Sequence, residues 1–179
     1  MAAIVYDIDP THSGAHFSVR HLMISNVKGE FTKVSGTVTY DPANPSGSKV
    51  EATVDVRSLH TRDEQRDGHL KSADFFDADK FPEIKFVSKS VTPDGHGEYL
   101  VKGDLTIHGV TKEVALQVEG PTPEVKDPWG NMKAGATATT KIDRKDFGLT
   151  WNASLETGGV LVGDEVKISL DLELTRRPA

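Results

Sequence analysis

Seven histidines and no cysteine set the chemical repertoire of this 179-residue chain. Without thiols there is no disulfide framework, no thiolate metal site and no cysteine nucleophile. His12 and His16 are the closest histidine pair. On a strand, four residues separate them by about 13 Å, too far to share one ion. A helix would bring them together, but Ser13-Gly14 and the alternation that follows argue against one. No His-Glu-x-x-His helix, phosphate-binding glycine loop or Gly-x-Ser-x-Gly elbow is present. We therefore expect no metal and no cofactor. General acid/base chemistry stays open, because His21, Asp67, His69 and Arg144 could converge despite their distance along the chain. Arg66, Asp67 and His69 also suit a structural role at a crossover, and Arg144 with Asp146 suits a turn or ion pair.

Charge narrows the partners. Lysine and arginine number 21 against 27 aspartates and glutamates, a formal net charge of −6. Nucleic acid binding, which depends on neutralising phosphates, is not expected. No apolar stretch approaches the roughly 18 residues needed to span a bilayer. The N-terminus, Met1 to Asp7, meets an acid before a signal-peptide core could form. As written, the sequence predicts a cytoplasmic protein, with a periplasmic or secreted location if a leader has been removed. Asn152-Ala-Ser154 is formally a glycosylation sequon, read here as coincidence.

The elements that must position any site are strands. Val166, Ile168, Leu170, Leu172 and Leu174 alternate with polar residues, a period of two that buries one face. The period recurs in Val50 to Val56 and Val114 to Val118. Further strands are predicted at Ala15 to His21, Ile84 to Val91, Tyr99 to Ile107 and Met132 to Ile142. Between Val27 and Tyr40 the parity changes, which predicts a bulge near Thr32 and Lys33 in one bent strand. Ser58 to Asp79 resists strand reading. Its Thr61-x-x-Glu64 capping box predicts one or two short helical turns, followed by Phe75-Phe76 as a cover over one end. The whole, residues 1–179, reads as one antiparallel all-β domain of about eight strands.

Such strands form either a sandwich or a closed barrel. The inner faces mix large residues such as Phe17, Phe86, Leu105 and Leu116 with Ala52, Gly103, Ala134, Ala136 and Ala138. Small residues leave room for a ligand or interdigitate with large ones, and periodicity does not decide between the two.

Several motifs stand in a recognisable order. They are Tyr6-Asp-Ile-Asp9, His12-Ser13, Phe17-Ser-Val-Arg-His21 and Val27-Lys-Gly-Glu-Phe31. Arg66-Asp67-Gly-His69 to Phe75-Phe76-Asp77, Phe81-Pro82, Leu105-Thr-Ile-His108-Gly109 and Asp143-Arg144-Lys-Asp146-Phe147-Gly148 follow. From about Tyr6 to Glu173 the chain resembles the YceI-like family. That resemblance implies a lipocalin-like antiparallel barrel with a short helical crossover, holding a polyisoprenoid or other long amphiphilic lipid without a reaction. Parity then nominates the lipid-binding residues: Phe17, Val19, Val38, Val54, Ile84, Phe86, Leu105, Ile107, Val114, Leu116, Ala136, Ile168 and Leu170. Phe75 and Phe76 would form the lid, and His21 would meet a polar head or bond to backbone. Trp129 suits a loop, and Trp151 a rim or core contact. Two alternatives remain. One is an enzyme acting on a small lipophilic substrate through its His, Asp and Arg groups. The other is an interaction protein with a filled barrel, using a sheet edge or a homodimer surface.

Overall fold

A computed structural model describes residues 3–156 and 159–178. Positions 1, 2, 157, 158 and 179 of the predicted domain, and so the start of the N-terminal stretch from Met1, lie outside the described residues. In chain order the strands are β1 (Ile4–Ile8), β2 (Gly14–His21), β3 (Ser25–Phe31), β4 (Val34–Tyr40), β5 (Lys49–Asp55) and β6 (Leu59–His60). After helix α1 (Glu64–Lys71) come β7 (Glu83–Pro93), β8 (Glu98–Ile107), β9 (Val110–Glu119), β10 (Val125–Lys126), β11 (Met132–Asp143) and β12 (Val162–Arg176). Among the described residues no helix is long and apolar enough to cross a membrane.

β12 organises the sheet. Along one edge it pairs with β11 from Glu165 to Thr175. Its other edge is divided: Leu174, Thr175 and Arg176 pair with β1, whereas Val162 to Asp171 pair with β2. The ring β12-β11-β9-β8-β7-β5-β4-β1 closes back on β12 as an eight-stranded antiparallel barrel. β2, β3 and β6 extend it beyond the ends of β1, β4 and β5, so the wall is taller on that side. Closure satisfies the ladder without exposed edges around the ring.

Sequence parity between Val27 and Tyr40 has a stronger cause than a bulge. β3 and β4 are separate strands interrupted at Thr32 and Lys33, and each continues a different level of the wall. Ser58 bridges the gap: its carbonyl accepts from the Thr32 N–H and its hydroxyl from the Lys33 N–H. Opposite this break, Val56 leaves β5 and joins a 3-10 turn. The crossover also differs from expectation. Asp63, not Thr61, caps α1, accepting from the N–H groups of Gln65 and Arg66. The short strand β6 lies inside the segment that showed no strand pattern, and β1 was not anticipated.

The core is the inner face of the barrel. Val34, Val56, Phe147 and Leu174 are its most completely buried large side chains. Two glycines permit close packing there. The Phe17 ring lies over its cross-strand partner Gly29, and the Phe86 ring over Gly103. A Cβ at either position would overlap the ring.

Candidate functional site

Strand parity sends every second side chain of the eight-stranded ring inward, and here the inward set does not fill the space. A cavity of about 380 Å³ runs up the barrel, walled almost entirely by apolar side chains. Phe17, Val38, Ala52, Ile168 and Leu170 face the interior yet are only half-buried, because they border this space.

At the lower end, Tyr40 at the end of β4 and Tyr99 at the start of β8 border the cavity. Their hydroxyls are 3.1 Å apart and their rings meet edge to face. The hydrogen bond shared with Tyr99, with burial and the neighbouring phenols, pushes the Tyr40 ionisation up to about 12. At the upper end, α1 and the turn after it carry the aromatic cover. Phe76 packs edge-on against Phe31, which also meets Phe17. Phe75, His69 and Trp151 form a second aromatic group, with the His69 and Trp151 ring centres 4.7 Å apart. Arg20, His21, Arg66, His69 and Arg144 border the cavity at this upper end, whereas His16, Ser48, Thr137 and Thr140 border it elsewhere along the wall.

The structure places Phe17, Val19, His21, Val38, Val54, Phe75, Phe76, Ile84, Phe86, Leu105, Ile107, Leu116, Ala136, Ile168 and Leu170 on the cavity wall. Val114 is not on it. Val114 pairs with Gly103, and the Phe86 ring lying over that glycine takes the inner position beside it. Val50, Val101, Val118 and Leu172 also line the cavity, and parity alone could have found them. Trp151, read from the sequence as a rim or core contact, also lines the cavity, whereas Leu161 and Val162 come from an irregular segment and the strand start after it, for which the sequence carries no periodic signal.

The groups considered for acid/base chemistry are largely engaged in holding the fold. The Thr61 N–H donates to Asp67 at 2.9 Å, and the Thr61 hydroxyl also donates to that carboxylate. Arg66 donates through Nε to the Thr61 hydroxyl and through its terminal nitrogen to the Thr61 carbonyl. His69 pairs with Asp74 at 2.9 Å. Arg144, 3% exposed, donates to the carbonyls of Gly163, Leu149, Trp151 and Val162. Arg144 and Asp146 share the 3-10 turn Arg144–Phe147, as expected of a turn, while the carboxylate beside the guanidinium is Asp164 at 3.9 Å. Asn152 spends its amide on both backbone groups of Val162, which suits the reading of its sequon as coincidence. Among these groups, the His21 ring alone makes no hydrogen bond with the described residues; it stands at the upper end of β2.

One cluster has metal-like composition, Asp9, His12 and Glu173, with ligand atoms within 4.8 Å of one another. It lies outside the barrel and already contains a cation: Lys133 Nζ is 3.0 Å from Asp9 and 3.7 Å from Glu173. Burial opposes ionisation of Asp9, but hydrogen bonds from His12, Thr11 and Lys133 hold its carboxyl well below the usual range. Contact with Asp9, then Glu173, raises the His12 pKa. His16 belongs to another group, beside Glu30 and Asp171.

Comparison with known proteins agrees with this geometry. The profile of the YceI-like domain matches residues 6–174. A UPF0312 protein of Vibrio cholerae is 43% identical over 148 residues, covering 83% of this chain and 78% of its own length. The crystal structure of Burkholderia cenocepacia BcnA superposes with a TM-score of 0.78 at 26% identity, covering 93% of this chain and 98% of that one. A polyisoprenoid binding domain from Saccharophagus degradans shares the fold at 17% identity and a TM-score of 0.69, covering 96% and 98% of the two chains. Residues 6–174 thus carry both the sequence profile and the cavity-bearing barrel, and the chain belongs to the YceI-like family.

Proposed function

We propose that this protein binds a polyisoprenoid or similar long amphiphilic lipid inside its barrel, for carriage, storage or sequestration, without converting it chemically. The observation that carries this reading is the unfilled apolar cavity of about 380 Å³ enclosed by the closed ring. A polyisoprenoid binding domain with the same fold is consistent with it. Burying each methylene contributes about 0.8 kcal/mol, so part of one chain offsets the cost of ordering it. The wall residues that parity nominated, Val114 excepted, would hold the tail. Phe75 and Phe76 would cover it, and His21 would face the polar head at the upper end. The engagement of Asp67, Arg144 and His69 in structural bonds favours binding over catalysis.

Detergent-free purification, native mass spectrometry and organic extraction test this directly. A stoichiometric prenyl lipid or long-chain amphiphile is the expected result. Protein that is reproducibly empty and refuses added isoprenoid overturns the proposal.

A further inference from the structure

The turn joining β2 to β3 contradicts the usual chemistry of its position. Leu22 and Met23 hold positive φ values of 52° and 62°, closed by a hydrogen bond from the Ile24 N–H to the His21 carbonyl. Two consecutive left-handed residues make a turn that normally selects Asn-Gly, because bulky side chains are strained there. The side chains are also on the wrong side of the solvent boundary. Met23 is 56% and Ile24 75% exposed, with Leu22 and Val160 exposed beside them. Strained backbone carrying exposed apolar side chains costs stability twice, and such costs concentrate at functional sites.

Position supplies the function. The Leu22 N–H donates to the carbonyl of Leu161, a cavity-wall residue, and His21 on the other side of the turn borders the same space. Met23 packs against Gly159. The apolar tip is therefore continuous with the upper end of the cavity. It is a convex point of a few side chains, far short of the roughly 800 Å² per partner that a stable protein interface buries. An apolar protrusion suits an interface between water and lipid, where side chains enter one by one. Exposed Arg20 adds a cation at its base, with a guanidinium nitrogen 3.3 Å from the Met23 carbonyl.

Resting on the lipid-binding reading above, we infer that the Leu22–Ile24 tip with Val160 inserts into the surface of a phospholipid bilayer. Docking there sets the upper end of the cavity against the membrane from which an insoluble chain is drawn, or to which it is returned. Arg20 would meet lipid phosphate. With a net charge of −6 repelling an anionic surface, apolar insertion and not bulk charge must supply the attachment.

The test compares the wild type with a Met23→Ser/Ile24→Ser double variant, whose changes fall on exposed positions outside the cavity wall. Vesicles of phosphatidylethanolamine and phosphatidylglycerol, loaded with geranylgeraniol, report flotation of protein and the rate of transfer into it. Geranylgeraniol added from ethanol reports cavity binding without a membrane. We expect flotation and transfer to fall at least tenfold in the variant, while uptake from ethanol keeps its stoichiometry. Equal flotation of the two proteins overturns the docking inference, as does a concentration-dependent dimer lost in the variant with transfer unchanged. Wild-type protein that floats through this tip but takes up no geranylgeraniol by either route overturns the lipid-binding reading and leaves the docking surface standing.

Discussion

Replacing Ala52 by leucine should make the protein more stable and a poorer lipid binder. Ala52 faces inward from β5 between Val50 and Val54, pairs with Phe86 on β7, and is half-buried because it borders the cavity. Leucine adds three carbon atoms to that space. At about 0.8 kcal/mol each, full burial stabilises the empty protein by at most about 2 kcal/mol. For a chain of this size that is a rise of roughly 4–8 °C in Tm. The same atoms occupy room the lipid tail would need, so stoichiometric retention of geranylgeraniol should fall. Urea denaturation of delipidated protein measures the first effect, and native mass spectrometry after lipid addition the second. Overpacking a filled core would instead cost about 1–3 kcal/mol. A variant destabilised by that amount, with lipid stoichiometry unchanged, would refute the idea that this wall borders open volume.

Arg144→Leu should destabilise by about 3–5 kcal/mol, because it strands the four carbonyls that the guanidinium now serves. Arg144→Lys should rescue little in the same urea titration, since one ammonium does not reproduce the planar fork. Raising the Tyr40 pKa on folding means its contribution is complete below pH 10 and is lost as pH climbs from 10 toward about 12. A thermal scan across that window should show a loss that Tyr40→Phe reduces. In the Asp9–His12–Lys133 cluster, the lowered Asp9 contributes above its ordinary value of 3.8 and fails as pH falls. The raised His12 contributes below 6.5 and fails as pH rises. Both act together between those values, so the wild-type advantage in Tm over Asp9→Asn should be largest there and shrink on either side.

Most strands and nearly all the proposed wall were legible because period-two alternation is written into Val50–Val56, Leu105–Ile107 and Val166–Leu174. β1 escaped because Ile4–Ile8 is short and pairs only with distant partners, β4 and β12. The break at Thr32 looked like a bulge because parity records that a strand changes face, not that its halves pair with different neighbours. Val114 follows the inward parity, and only the placement of the Phe86 ring over Gly103 removes it from the cavity. The capping box at Thr61 failed for a similar reason: the threonine hydroxyl is bound to Asp67, leaving Asp63 to cap the helix. Whether the interior was packed or open could not be read from residue sizes, because it depends on barrel circumference, set by which strands close the ring.

The divided edge of β12 also constrains how the chain is made. Among the described strands, its partners β1 and β2 leave the ribosome first and Val162–Arg176 last. Until that segment emerges, the N-terminal strands lack one neighbour and the ring has no seam to seal. Such long-range pairing bears the full entropic cost of loop closure before any contact rewards it, and it slows folding. The nascent barrel therefore stays open, with its apolar faces unshielded, until β12 has been made. A stop codon at Val162 would remove the seam itself, leaving a chain with almost all its strands and no closed ring.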